Sequence, residues 1–309
     1  MKIIAKIMAV GLCFALGSLT QVSAQIISYK RNALELKVGV GGTLFFGDLG
    51  GSQGGRKDGF FDYDVESMRG NTSFGLKFNF TNRISLRSDI CYAQVVGGDA
   101  FSGDPGRFKR NLSFRSDIFE LSLTPEFVIY NLSKLGRKKT ATSELYGFAG
   151  FGMLRFNPQA EINGVWYDLQ PLGTEGQGLK SGTKLYNLQS WVVPFGVGYR
   201  KNIGRKTYVG IELSMRKSFT DYIDDVSTSY YSPDALLEER GEASALLSDR
   251  TIGESANTGA NRGNSSNNDN YSFVQVTFSR SIGKQDANSS KMGKFFAKFK
   301  TRDKCPAFR

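Results

Sequence analysis

Asp221, Asp224 and Asp225 form a close set of carboxylates, and a carboxylate-only acid–base mechanism is the catalytic chemistry such a set could support. The chain contains no histidine, so the usual general base of a Ser-His or Asp-His hydrolase and the commonest metal ligand are both missing. Acids in an external loop are ordinarily solvated, and the sequence is read as that of a non-enzymatic protein with no cofactor and no small-molecule substrate. The same acids could hold calcium loosely. Asp62-x-Asp64-x-Glu66 imitates the start of a calcium loop, but Ser67 stands for the glycine and Ser73 for the closing glutamate, which excludes an EF-hand. The glycine run from Gly50 to Lys57 imitates a phosphate-binding loop without its Lys-Ser/Thr step or a following helix, and is read as flexible loop. Asn261 to Asn270 is polar and of low complexity, the composition of a mobile external loop.

The elements that must carry these loops are strands. Lys2 and Lys6 flank an apolar run that ends at Val22-Ser23-Ala24, which reads as a signal peptide over 1–24 with the mature chain starting at Gln25. No later stretch reaches the roughly 20 apolar residues that a helical span needs, so any membrane crossing uses strands. Cys91 and Cys305 then remain after processing, with their pairing open.

Period-two alternation recurs about eight times. Leu34, Leu36, Val38, Val40, Leu44 and Phe46 alternate with Glu35, Lys37 and glycines; Phe74, Leu76 and Phe78 with Lys77 and Asn79; Ile84, Leu86, Ile90 and Tyr92 with Arg87, Asp89 and Cys91. Downstream, Phe119, Leu121, Leu123 and Phe127 alternate with Glu120 and Glu126, Trp191 to Tyr199 with Gly196, Gly198 and Arg200, and Ile211, Leu213 and Met215 with Glu212 and Arg216. Val274, Val276 and Phe278 close the series, and only Leu145 to Phe156 leaves its facing ambiguous.

A soluble barrel with an apolar interior shows the same alternation, and the polar face breaks the tie. It is rich in glycine and carries both charge signs, as suits a crowded lumen in which Glu35, Lys37, Arg87, Asp89, Glu120, Glu212 and Arg216 form a polar network. Trp191 and Tyr92 at one end of their strands, with Tyr130, Tyr146 and Tyr199 at the other, are expected to form two interfacial girdles. The sequence thus predicts an all-β chain: an eight-stranded antiparallel transmembrane β-barrel over 34–282, with short periplasmic turns and long extracellular loops. The tight connections are Thr81 to Arg83 and Asn202 to Lys206; the long ones run from Asp48 to Thr72, Val96 to Arg115, Asn157 to Asn187 and Phe219 to Asn270.

An even strand count puts both termini in the periplasm, as a short N-terminal segment over 25–33 and a basic tail over 283–309. In the tail, Lys294, Lys298 and Lys300 interleave with Phe295, Phe296 and Phe299 ahead of Cys305; the basic turn carries Lys134, Arg137, Lys138 and Lys139. These are the candidate partner contacts, with aromatic anchors for burial and cations for steering. The net charge of +11 suits an acidic protein partner or anionic lipid in an exported chain rather than nucleic acid.

Several runs resemble the PorG-type outer-membrane barrels of the type IX secretion system: Arg110-Asn111-Leu112-Ser113-Phe114 and onward to Leu121, Phe156-Asn157-Pro158, Trp166 through Gly178, Arg216 through Ser227, and Arg262-Gly263-Asn264-Ser265. The resemblance spans Leu34 to Ile282. It implies a barrel that does not itself conduct protein but anchors or docks the periplasmic ring, of PorK and PorN type, to the cell outer membrane. The alternative is a stand-alone surface barrel whose long loops bind an external ligand or mediate adhesion.

Overall fold

The computed structural model describes residues 34–49, 67–131, 143–203 and 206–282. Ten strands form one antiparallel sheet: β1 (Leu34–Phe46), β2 (Arg69–Asn79), β3 (Ile84–Gly98), β4 (Ser113–Asn131), β5 (Ser143–Ala149), β6 (Phe151–Ile162), β7 (Val165–Asp168), β8 (Gln189–Asn202), β9 (Thr207–Ser218) and β10 (Asn270–Ile282). The last strand pairs with the first, from Leu34 opposite Ile282 to Phe46 opposite Asn270, and β3 pairs with β4, so the sheet closes on itself. Closure leaves the ring no free edge.

The ring has eight staves. β5 and β6 are one of them, because β4 keeps its register across the break between them, from Glu126 opposite Phe148 to Leu123 opposite Phe151; its one shift falls further along, between Val128 and Tyr130. The interruption falls at Gly150, where Pro125 of β4 has no N–H for the ladder and Pro194 of β8 accepts from the Gly150 N–H at 2.9 Å. β7 pairs with β6 alone, as the return arm of a hairpin on the rim. Its turn, Asn163-Gly164, has positive φ at both residues (51° and 82°), the conformation a two-residue hairpin requires. The connection expected to run as loop from Asn157 is therefore strand as far as Ile162.

The alternation resolves into an apolar outer wall and a polar lumen. Val40, Phe74, Ile90, Leu121, Phe127, Phe151, Val197, Ile211, Leu213 and Val276 are exposed, while Glu35, Lys77, Arg87, Glu120, Glu126 and Glu212 are buried. On β4 the outward positions from Phe119 to Ile129 carry no charge, a height matching the roughly 9–11 tilted residues that cross a bilayer. A continuous apolar belt of this size is the lipid-facing surface of an outer-membrane type barrel; water-soluble proteins do not expose one. No helix among the described residues is long and apolar enough to cross a membrane. The formerly ambiguous stave puts Tyr146, Phe148, Leu154 and Phe156 inward.

Two expectations about facing are corrected. Tyr146 lies in the lumen, buried and donating to Glu212, because on this stave the inward positions are the even ones; it cannot belong to a girdle. Leu44, on the expected outward face, is buried. Trp191, Tyr92, Tyr130 and Tyr199 are exposed.

Candidate functional site

Inside the barrel, side chains from opposite walls meet. Arg87 on the third stave reaches Glu212 on the seventh at 3.0 Å, and Tyr271 on the eighth donates to Glu120 on the fourth at 2.9 Å. In a ring of eight these pairs are diametrically opposed, so each bridge crosses the lumen. Glu212 also pairs with Lys37 at 2.7 Å and accepts from Tyr146 at 2.6 Å. Lys77 pairs with Glu35 at 2.7 Å and lies 3.6 Å from Glu126, which also pairs with Arg200; Arg200 in turn pairs with Glu144 at 2.7 Å. Arg87 holds Asp89 at 2.5 Å, and Arg216 pairs with Glu120 at 3.3 Å while lying 3.7 Å over the Phe273 ring.

The structure thus brings all seven residues of the expected network into the lumen. Lys77, Glu126, Glu144 and Arg200 join them; the sequence signal for Lys77, Glu126 and Arg200 is the same inward parity, and Glu144 precedes the stretch whose facing the sequence leaves ambiguous. Between Lys37, Lys77, Glu126, Tyr146 and Arg200 remains a void of about 10 Å³, room for one water. Each buried charge is tolerable because it is paired, and removal of one partner strands the other in a poorly solvated interior. Cys91 is a buried free thiol on the same wall.

Over the loop end of the barrel the connections fold into a cap. It contains the helices α1 (Pro105–Arg110), α2 (Leu169–Leu172), α3 (Pro233–Arg240) and α4 (Glu242–Ser248). Asp104 starts α1 by accepting from the Gly106 and Arg107 N–H groups, and Asn111 ends it with φ 55°. The cap's apolar centre, with Leu49, Leu112, Ile223, Val226 and Leu247, runs on into Phe114, Phe156, Tyr271 and Phe273 at the top of the lumen.

Two arginines tie the loops together. Arg110 forks onto Asp99 at 2.6 and 2.8 Å and donates to the carbonyls of Asp48 and Arg262, both at 2.6 Å. Arg262 donates to the carbonyls of Asp225 and Ser248 and to Glu175. Glu175 accepts from the backbone of Ser227 and Thr228 and from the Thr228 hydroxyl, while Asp225 accepts from Thr174 and Tyr186. The stretch from Asn261 to Asn270 is pinned near both ends: Arg262 and Asp269 are buried, because these charged groups supply hydrogen bonds that the converging loops need, while Ser265 to Asn268 stay exposed.

Asp221, Asp224 and Asp225 are likewise buried, not solvated. Burial pushes Asp221 up to about 7, with the Asp48 charge adding to it, and pushes Asp225 up to about 6 in spite of Arg262. Asp224 and Asp269 stand well above the ordinary carboxylate range, through burial and then the charge of Asp48 for the first and of Asp224 for the second. Asp224 accepts from the N–H groups of Leu49 and Val226, and Asp269 from that of Ile223. No group of three or more metal-ligating side chains converges among the described residues. Asp62, Asp64 and Glu66 lie outside the described residues, as do Lys134, Arg137, Lys138, Lys139, Lys294, Phe295, Phe296, Lys298, Phe299, Lys300 and Cys305.

Residues 9–236 match the model of the family described as domain of unknown function DUF6089. The chain belongs to this family. No curated protein matches it in sequence. Among solved structures, this DUF6089 protein is similar to Neisserial surface protein A at 7% identity, over 81% of this chain and 97% of that one, with a TM-score of 0.35. It is similar to Ail, the attachment invasion locus protein of Yersinia pestis, at 10% identity over 82% and 100% of the two chains, with a TM-score of 0.35. For the outer membrane protein OprG from Pseudomonas aeruginosa the figures are 10%, 82% and 98%, with a TM-score of 0.36. The fold assignment rests on the closed ring and its lipid-facing belt.

Proposed function

We propose that this DUF6089 protein is a non-conducting barrel of the cell outer membrane that anchors or docks the periplasmic ring of a type IX secretion machine, with both termini in the periplasm. The observation that carries the reading is the pair of bridges across the lumen, Arg87 to Glu212 and Tyr271 to Glu120, beneath a folded cap. A lumen crossed twice by its own side chains passes no folded cargo, which leaves the two rims as the working surfaces. The partner class comes from the resemblance to PorG-type barrels. On this reading the basic and aromatic residues Lys134, Arg137, Lys138, Lys139, Lys294, Phe295, Phe296, Lys298, Phe299 and Lys300 face ring proteins of PorK and PorN type, and Cys305 is available for a cross-link. The mechanism is binding, with no chemical step.

Affinity purification of the tagged protein from detergent-solubilised outer membranes tests it. Ring proteins should co-purify at moderate salt, and joint replacement of Lys294, Phe295, Phe296 and Phe299 should reduce that recovery while the barrel still assembles. Recovery of the folded barrel alone would defeat the docking reading.

The cap favours a second reading. A rigid surface built from loops that meet around Arg110 and Arg262 suits a stand-alone barrel that holds an external ligand or adheres to a surface. In that case changes in the cap abolish function and changes in the basic tail are silent.

A further inference from the structure

On the stave formed by β5 and β6 the outward positions read Leu145, Gly147, Ala149, Phe151, Met153 and then Arg155, so the guanidinium stands at the first polar level above the apolar belt. Arg155 is exposed. Its cross-strand neighbours are Phe119 and Gln189, neither of which carries a charge. The nearby carboxylates are engaged elsewhere: Asp117 accepts from Tyr92 at 3.1 Å and Gln94 at 3.0 Å, and Asp168 from Asn157 at 2.8 Å and Gln159 at 2.6 Å. Arg115, further up the wall, is held by Gln159 at 3.0 Å and lies 3.6 Å over the Trp166 ring. Among the described residues Arg155 has no such counterpart. Directly below it the outer wall carries a groove of about 230 Å³ between Ile90, Phe119, Leu121 and Met153, with Gln189 at its upper edge.

We propose that this groove is a binding site for a phosphorylated lipid, with one acyl chain along Ile90, Leu121 and Met153, and a headgroup phosphate on Arg155 assisted by the Gln189 amide. The chemistry selects the occupant. An apolar channel at membrane depth excludes soluble anions, whereas an unpaired guanidinium at its mouth, at the boundary where headgroups lie, favours a phosphate monoester of net negative charge over a neutral headgroup or a zwitterionic phosphodiester. Guanidinium also matches two phosphate oxygens at once, which an ammonium does not. The site follows from the barrel's placement in a membrane and does not depend on what either rim binds.

The test is native mass spectrometry of the full-length protein released from detergent micelles doped with lipid A, a bisphosphorylated acylated disaccharide, or with phosphatidylcholine. Wild type should retain lipid A in preference to phosphatidylcholine. Arg155→Gln should lower that retention about fivefold, the loss expected for one basic residue at an anionic surface. Met153→Trp, which fills the groove and keeps the charge, should lower it as well. Lys217→Gln, which removes another exposed outward cation, on β9, should leave it unchanged. All three substituted side chains point away from the lumen, and heat-modifiable gel mobility checks that each variant folds. Equal losses in all three variants would mean diffuse electrostatics, and a response to Arg155→Gln without one to Met153→Trp would mean that no chain lies in the groove. Either result, or retention that no variant alters, overturns the proposal.

Discussion

Arg262 and Glu175 meet at 3.2 Å inside the cap although 87 positions separate them. Both are nearly inaccessible to solvent, and Glu175 at the same time fixes the backbone of Ser227 and Thr228. One ion pair thus joins two loops and fixes two distant parts of the second. Arg262→Leu should leave Glu175 and Asp225 uncompensated and loosen the cap by about 3–5 kcal/mol, the usual cost of breaking a buried pair from one side. Limited proteolysis should then cut between 219 and 269 in the variant and not in wild type, while the barrel keeps its heat-modifiable mobility. Equal resistance in both proteins would show that the apolar centre alone holds the cap.

The aspartates of the cap make it sensitive to pH in the direction opposite to ordinary acid denaturation. Asp221 is raised to about 7 and Asp225 to about 6 from an ordinary value of 3.8, so the folded cap holds protons that an open one releases. The stabilisation from these groups is complete below pH 3.8 and is lost as pH rises through about 6 and then about 7. Amide exchange over 219–269, corrected for its intrinsic pH dependence, should be slower at pH 5 than at pH 8, and Asp221→Asn should flatten the difference. Faster corrected exchange at pH 5 would reverse the assignment.

The barrel was legible in the sequence because period two is a local signal. Each of Lys37, Arg87, Glu120 and Glu212 sits at an inward position that its immediate neighbours determine. The stave from Ser143 to Ile162 resisted reading for an equally local reason: Gly147, Ala149, Gly150 and Gly152 remove the apolar contrast, and Tyr146 and Phe148 place aromatic rings on the lumen side. The cap left no periodic trace. Its decisive contacts join residues such as Arg110 to the Arg262 carbonyl and Asp48 to the Asn264 N–H, and loops rich in Asn, Ser and Gly look alike whether they are solvated or folded over buried charges.

Gly150, opposite Thr124 and Pro194 and one position from the partner of Pro125, is a place where the fold demands the absence of a side chain. A Cβ there would collide with the Leu123 carbonyl oxygen and the Thr124 Cα of the neighbouring strand. Backbone atoms of a barrel strand cannot give way without breaking the ladder on both sides. Gly150→Val should therefore lower the yield of heat-modifiable barrel in refolding from urea into lipid vesicles, whereas Gly253→Val, at an open position of the cap with φ 96°, should strain only its own loop and leave barrel yield intact. Equal yields for Gly150→Val and wild type would mean that the stave can shift at its interruption.

Glu212 separates the stability of the lumen from its closure. It is the shared anion of Lys37 at 2.7 Å and Arg87 at 3.0 Å and accepts from Tyr146 as well, so Glu212→Leu removes the nearest partner of Lys37, leaves Arg87 with Asp89 as its only close partner, and strands a hydroxyl. The loss in unfolding free energy should be at least the roughly 3–5 kcal/mol of a single broken buried pair, read from urea unfolding in lipid vesicles, and Glu212→Gln should recover part of it by keeping an acceptor. Conduction should not follow stability. The second bridge, Tyr271 to Glu120, crosses the lumen nearer the cap and is held there by Arg216, so the destabilised variant should remain silent in planar bilayers. A steady conductance in Glu212→Leu alone would show that the first bridge is the seal and that the cap leaves an open path around Tyr271, which would make the protein a pore.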